Sequence, residues 1–127
     1  MSADPKHEIK VSVQSFYIKE QSSPEDDQYV FAYKVNIHNT GTVAAKLISR
    51  HWIITDSDGK TQEVSGEGVI GEQPYLSPGD HFEYTSGTHM DTPVGSMQGS
   101  YQMLADDGVK FDAEIPAFSL ALPTALH

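Results

Sequence analysis

Apolar and polar residues alternate along most of this 127-residue chain with a period of two, the spacing of a strand whose faces meet different surroundings. Ile9, Val11 and Val13 open the pattern. The apolar phase then moves to Phe16 and Ile18, which predicts a bulge or bend. Tyr29, Phe31, Tyr33, Val35 and Ile37 fill consecutive alternate positions, the clearest strand in the chain, and Asn39, Thr40 and Gly41 close it as a turn. Residues 47–55 (LISRHWIIT) are mostly apolar, as in a central strand, with Trp52 as its core aromatic. Asp56-Ser57-Asp58-Gly59 predicts a hairpin turn, and residues 60–65 return as a polar, weaker strand. Residues 66–79, rich in Gly and Pro, read as a long loop. Phe82 and Tyr84 mark another strand, and residues 86–95 read again as loop. Met97, Gly99, Tyr101 and Met103, then Val109, Phe111, Ala113 and Ile115, predict two more strands around an Asp106-Asp107-Gly108 turn. Pro116 demands an edge or a break.

About seven or eight short strands result, and no stretch holds a period of 3.6 over three turns. The predicted fold class is all-β: an immunoglobulin-like or fibronectin type III-like antiparallel β-sandwich forming a single domain over residues 1–127, with a closed barrel as the alternative. The segment Leu76-Ser77-Pro78-Gly79-Asp80 before Phe82 and Tyr84 predicts a corner tied down by an aromatic.

Charge narrows the function. The chain carries 18 Asp and Glu against 8 Lys and Arg, a formal net charge of −10. Phosphate neutralisation supplies most of the affinity for nucleic acid, so no nucleic-acid partner is expected. Cysteine is absent, which excludes disulfides and thiolate chemistry. Residues 1–13 carry charges where a secretory signal needs an apolar run, and no apolar run approaches the ~20 residues of a membrane helix. The expectation is a soluble, cytoplasmic protein without membrane insertion.

Three patterns bear on chemistry. Gly66, Glu67, Gly68 and Gly71 lie in a G-x-G-x-x-G sequence. Gln73, Pro74 and a Pro-Gly turn follow it, so no helix starts there and the Rossmann reading fails. What remains is a loop whose N–H groups cradle an anion, or a crossover whose glycines serve tight packing and positive φ. Residues 61–109 contain eight acids and no Lys or Arg, so a phosphate would meet repulsion unless Arg50 or Lys46 folds over it or a cation accompanies it. His81 with Glu83, and His89 with Asp91, form two i, i+2 pairs that together offer imidazole and carboxylate to Co2+ or Zn2+. The alternative is four solvated surface groups. Asp56-Ser57-Asp58-Gly59 begins like a calcium loop, but Lys60 and Thr61 stand where the loop needs an acid and Gly. No G-x-S-x-G elbow or other nucleophile motif occurs, which weighs against an enzyme.

Taken together, YVFAY (29–33), Trp52 and Ile53 within 50–55, EVSGEGVIG (63–71), QPYLSPG (73–79), YTSG (84–87), TPVGSMQGSY (92–101), IPAFSL (115–120) and Leu122-Pro123-Thr124 resemble the ApaG family, also called CorD, in their order and spacing. The resemblance runs from about Ile9 to His127. It implies a fibronectin-like sandwich, a link to cobalt resistance and magnesium efflux, and, from related domains on F-box proteins and a polymerase-delta-interacting protein, a protein-binding module. Pyrophosphate or nucleotide binding has been suggested for the family's glycine motif, here Gly66, Gly68 and Gly71. The family supplies no histidine ligands. The resulting expectation is a non-enzymatic binding domain with an unidentified protein partner. It holds no cofactor beyond weak Co2+ or Mg2+, influences Co2+ and Mg2+ homeostasis indirectly, and has sheet edges open to pairing in a homodimer. The alternatives are a metal–pyrophosphate or nucleotide binder and a direct divalent-cation binder.

Overall fold

A computed structural model describes residues 6–123. The predicted alternation becomes eight strands: β1 (Ile9–Tyr17), β2 (Tyr29–Asn39), β3 (Ala45–Asp56), β4 (Thr61–Glu67), β5 (Tyr75–Leu76), β6 (His81–Met90), β7 (Val94–Ala105) and β8 (Lys110–Ala121). All pairings are antiparallel. One sheet runs β1-β2-β6; the other runs β4-β3-β7-β8, with the short β5 joining β3 beyond the end of β4. The two sheets pack face to face as a sandwich, not a closed barrel.

The inward set is the one the period-two pattern selects. Phe31, Val35 and Ile37 of β2, Leu47 and Trp52 of β3, Met97, Tyr101 and Met103 of β7, and Ile115 and Leu120 of β8 are essentially inaccessible. Trp52 is the hub of the aromatic packing: Tyr33, Tyr101 and Phe118 meet it edge-on at 5.3, 6.2 and 6.0 Å between ring centroids. One flank is sealed where β1 meets β8, with the Ser15 hydroxyl donating to the Ser119 carbonyl at 2.8 Å. On the other flank β4 and β6 are the outermost strands of their sheets.

Four expectations need correction. β1 pairs with β2 without any register shift, so no bulge lies at Phe16. Tyr17 takes the inward position, 5.5 Å from Phe31, and Phe16 faces out, 49% exposed. An amphipathic Tyr keeps the phase where Phe seemed to break it. Residues 86–90 are strand, not loop, because β6 continues along β2 until Tyr29 meets Met90. Residues 66–79 are not a plain loop either, since β5 and a tight hairpin lie within them. The corner before β6 is tied by a buried asparagine, not by an aromatic. Asn39 Nδ2 donates to the carbonyls of Val43 (3.1 Å) and Leu76 (3.0 Å), and its Oδ1 accepts the Gly41 N–H at 2.9 Å. Pro116 behaves as required: it sits on edge strand β8 beside the register shift opposite Met97 and Gly99. Thr124 and His127 lie outside the described residues.

Candidate functional site

The glycine-rich segment follows directly from the end of β4, and each of its three glycines has a separate geometric cause. Gly66 lies across the ladder from Arg50, and a Cβ there would sit 2.9 Å from both terminal guanidinium nitrogens. Its missing side chain is the space Arg50 occupies. Gly68 has φ +62°, and a Cβ would fall 2.2 Å from the Glu72 carbonyl oxygen, well inside contact distance. Gly71 has φ +80° with open space around it, so conformation alone selects it.

Residues 69–72 close a two-residue hairpin. Val69 N–H donates to Glu72 O at 2.8 Å, and Glu72 N–H returns to Val69 O at 2.9 Å. Its central residues, Ile70 and Gly71, both have positive φ, +44° and +80°, which defines a type I′ turn. Asn, Asp or Gly normally fills the first of these places, yet here a β-branched Ile stands there, 55% exposed.

The base of this turn is anchored to β3. A register irregularity between Leu47 and Ser49 takes Ile48 out of the β7 ladder. Its carbonyl accepts from the Gly68 N–H and from Gln73 Nε2, both at 2.9 Å. Arg50 Nη1 donates to the carbonyls of Glu67 (3.1 Å) and Gly68 (2.8 Å). The loop thus turns carbonyl oxygens toward the nearest cation and spends the Gly68 and Val69 amides on β3 and on its own hairpin. The tip amides of Ile70 and Gly71 make none of these bonds.

Arg50 lies in phase with Trp52 and Ile54, so it enters the sandwich from the β4 side. With Tyr33, Trp52, Ile54, Val64, Met97 and residues 86–88 it lines a cavity of about 240 Å³ between the outermost strands β4 and β6. Beside it the Tyr84 and Tyr101 hydroxyls share a hydrogen bond. Burial pushes the Tyr84 phenol up to about 12, against the opposing pull of the Tyr101 bond. Burial also raises Tyr101, and the Arg50 charge partly offsets both shifts.

The proposed metal ligands lie apart. His81 and Glu83 stand at the start of β6, and His89 and Asp91 at its far end. Eight residues of strand separate the histidines, roughly 27 Å at 3.4 Å per residue. His81 Nδ1 meets Asn36 Oδ1 at 3.1 Å, and its ring stacks on His38 at 3.8 Å. Glu83 pairs with Lys34 at 3.7 Å, and Asp91 with Lys60 at 3.3 Å. Among the described residues no group of three or more His, Asp or Glu converges for a metal. None of their helices is long and apolar enough to cross a membrane.

Sequence reasoning missed Asn39, the inward course of Arg50 and the His38–His81 stack. Two of these carried a signal. Asn39 continues the apolar alternation of Phe31 through Ile37, and Arg50 falls in step with Trp52 and Ile54, so each marks a polar group on an inward face.

Two antiparallel sheets in this order, with an arginine-braced glycine hairpin at an open flank, define a β-sandwich domain of the immunoglobulin and fibronectin kind. The chain belongs to the ApaG domain family, whose model matches residues 19–105. It is 61% identical to Protein ApaG of Thiobacillus denitrificans over 127 residues, covering all of both chains. Protein ApaG of an Azoarcus species is 59% identical over the same span, again covering all of both. A crystal structure from Bordetella pertussis, described as an ApaA protein, superposes with a TM-score of 0.90 at 51% identity, covering 92% of this chain and 95% of that one.

Proposed function

We propose that this chain is a non-enzymatic, cytoplasmic binding domain that acts by contacting another protein through the β4 edge and the turn at residues 69–72. On this reading its part in Co2+ and Mg2+ homeostasis, implied by the family resemblance, is indirect, and any membrane step belongs to the partner. One observation carries the reading. Ile70 holds a left-handed backbone conformation that costs a β-branched residue about 1–2 kcal/mol, yet its side chain is 55% exposed and packs into no core. A strained apolar residue kept at the tip of a braced turn serves contact better than folding. Val64 on β4, 40% exposed, and Tyr75 on β5, 53% exposed, extend the apolar surface along that edge.

The test replaces Ile70 by Asn, which suits the turn, and compares partners co-purified from cells expressing either form. Loss of a specific partner with a fully folded domain supports the reading; an unchanged set of partners overturns this surface. A second reading, a metal–pyrophosphate binder at Gly66, Glu67, Gly68 and Gly71, draws support from the tip amides of Ile70 and Gly71, which donate to none of the loop's own acceptors. Amide-resolved NMR with Mg2+ and pyrophosphate tests it, since those two signals should shift saturably and only when both are present.

A further inference from the structure

The cavity between β4 and β6 is lined by Arg50 and Trp52, each of which has a donor group without a partner in the protein. Trp52 is 2% exposed, and its indole Nε1–H, fully buried, meets no acceptor. A buried donor without a partner costs about 1–3 kcal/mol, so such groups are scarce in folded proteins. Arg50, on the same wall, uses only Nη1, on the carbonyls of Glu67 and Gly68. Its Nε and Nη2 make no hydrogen bond, and no carboxylate among the described residues pairs with it. That is unusual in a chain with ten more negative than positive charges. Gly66 keeps the guanidinium in place by leaving it room. Of the remaining walls, Tyr33, Ile54, Val64 and Met97 are apolar or aromatic, and Ser86, Gly87 and Thr88 of β6 complete the lining.

From this we infer that the cavity is a binding site for a monocarboxylate with a short apolar body. One guanidinium balances one negative charge. No further Lys or Arg lies between residues 61 and 109 to balance a phosphate dianion. A carboxylate supplies two acceptor oxygens, which match the planar guanidinium fork of Arg50. At about 30 Å³ per water, 240 Å³ equals roughly eight waters, the size of a small organic acid. The carboxylate comes either from a free acid or from the carboxyl terminus of a polypeptide. This site lies inside the open flank, apart from the Ile70 tip, and stands or falls independently of the protein-contact reading.

Trp52 is the only tryptophan, so its fluorescence and its single indole N–H resonance report on this site alone. The full chain is titrated with butyrate, with 1-butanol, with inorganic phosphate and with the peptide Gly-Gly-Ala-Val bearing a free carboxyl terminus. The expected result is a saturable downfield shift of the indole proton with butyrate or the peptide, the tighter of the two naming the source. Equal binding of butanol, preference for phosphate, or an indole signal unmoved by all four overturns the inference. Arg50→Gln should weaken carboxylate binding at least tenfold. Because that change also unbraces residues 67 and 68, Val64→Phe provides a second variant: Val64 is 40% exposed on an edge strand, and a larger ring there narrows the cavity without touching the core. Carboxylate binding that survives Val64→Phe unchanged also overturns it. Carboxylate binding retained by Ile70→Asn while partner capture is lost separates the two readings, since Ile70 does not line the cavity.

Discussion

Asn39 is 1% exposed and holds three stretches of chain together at once: its own strand end, the turn at Gly41–Val43 and the entry to β5–β6. Its backbone adds two more ties, donating to Asp80 O at 3.0 Å and accepting the Gly79 N–H at 2.8 Å. Asn39→Ala therefore removes the side-chain donor of the Val43 and Leu76 carbonyls, while the Gly41 amide keeps the Glu8 carbonyl, and should cost about 2–4 kcal/mol. Asn39→Asp should cost a similar amount, because a carboxylate cannot donate to Val43 and Leu76. Urea denaturation midpoints for the two variants check this. The glycines make a contrasting pair. Gly68→Val drives a Cβ into the Glu72 carbonyl and should disrupt the hairpin, whereas Gly71→Ala meets only an unfavourable φ and should cost about 1 kcal/mol. Thermal melts that rank the two in the opposite order would refute this account of the motif.

At the level of elements, the turn at residues 69–72 makes an unusual forecast: its apparent defect is repairable. Asn accepts positive φ far more readily than Ile, so Ile70→Asn should stabilise the isolated domain by about 1 kcal/mol. The melting temperature should rise by about 3–5 °C. Calorimetry decides, and a fall would remove strain from the argument for a contact surface. Strands whose inward set is mostly apolar, such as β2 and β3, were readable from the chain, because period-two burial leaves little choice of register. β6 was half readable: Phe82 and Tyr84 marked its start, but Ser86, Gly87 and Thr88 have no apolar alternation, and only their pairing with Phe31, Ala32 and Tyr33 makes them strand. The glycine motif was visible as a loop, and the reasons for Gly66 and Gly68 were not, because both involve residues distant in sequence or across a turn. Of the proposed histidine pairs, His81 and Glu83 share one face of β6, whereas Asp91 lies just past the strand that ends at Met90; what spacing alone hid was the length of strand between the two histidines.

For the molecule as a whole, the buried Tyr84–Tyr101 pair sets an alkaline limit. Burial raises Tyr84 from 10.0 to about 12 in the folded state and raises Tyr101 as well. A raised folded pKa means that the unfolded chain ionises first as pH climbs. This contribution to stability is whole below pH 10 and is lost as pH rises toward about 12. Denaturation midpoints should hold level to about pH 10 and then fall, and the double variant Tyr84→Phe/Tyr101→Phe should flatten that fall. The two flanks of the sandwich have a separate consequence. On one flank β1 and β8 lean together, and Pro116 removes a donor from β8; on the other, β4 and β6 are the outermost strands of their sheets. Two copies joined along β4 would leave only proline-interrupted β8 at the outer ends of the combined sheet. Self-association by strand pairing therefore terminates at a pair, and the same asymmetry that leaves this domain one side for meeting partners denies it a second side from which a fibre could grow.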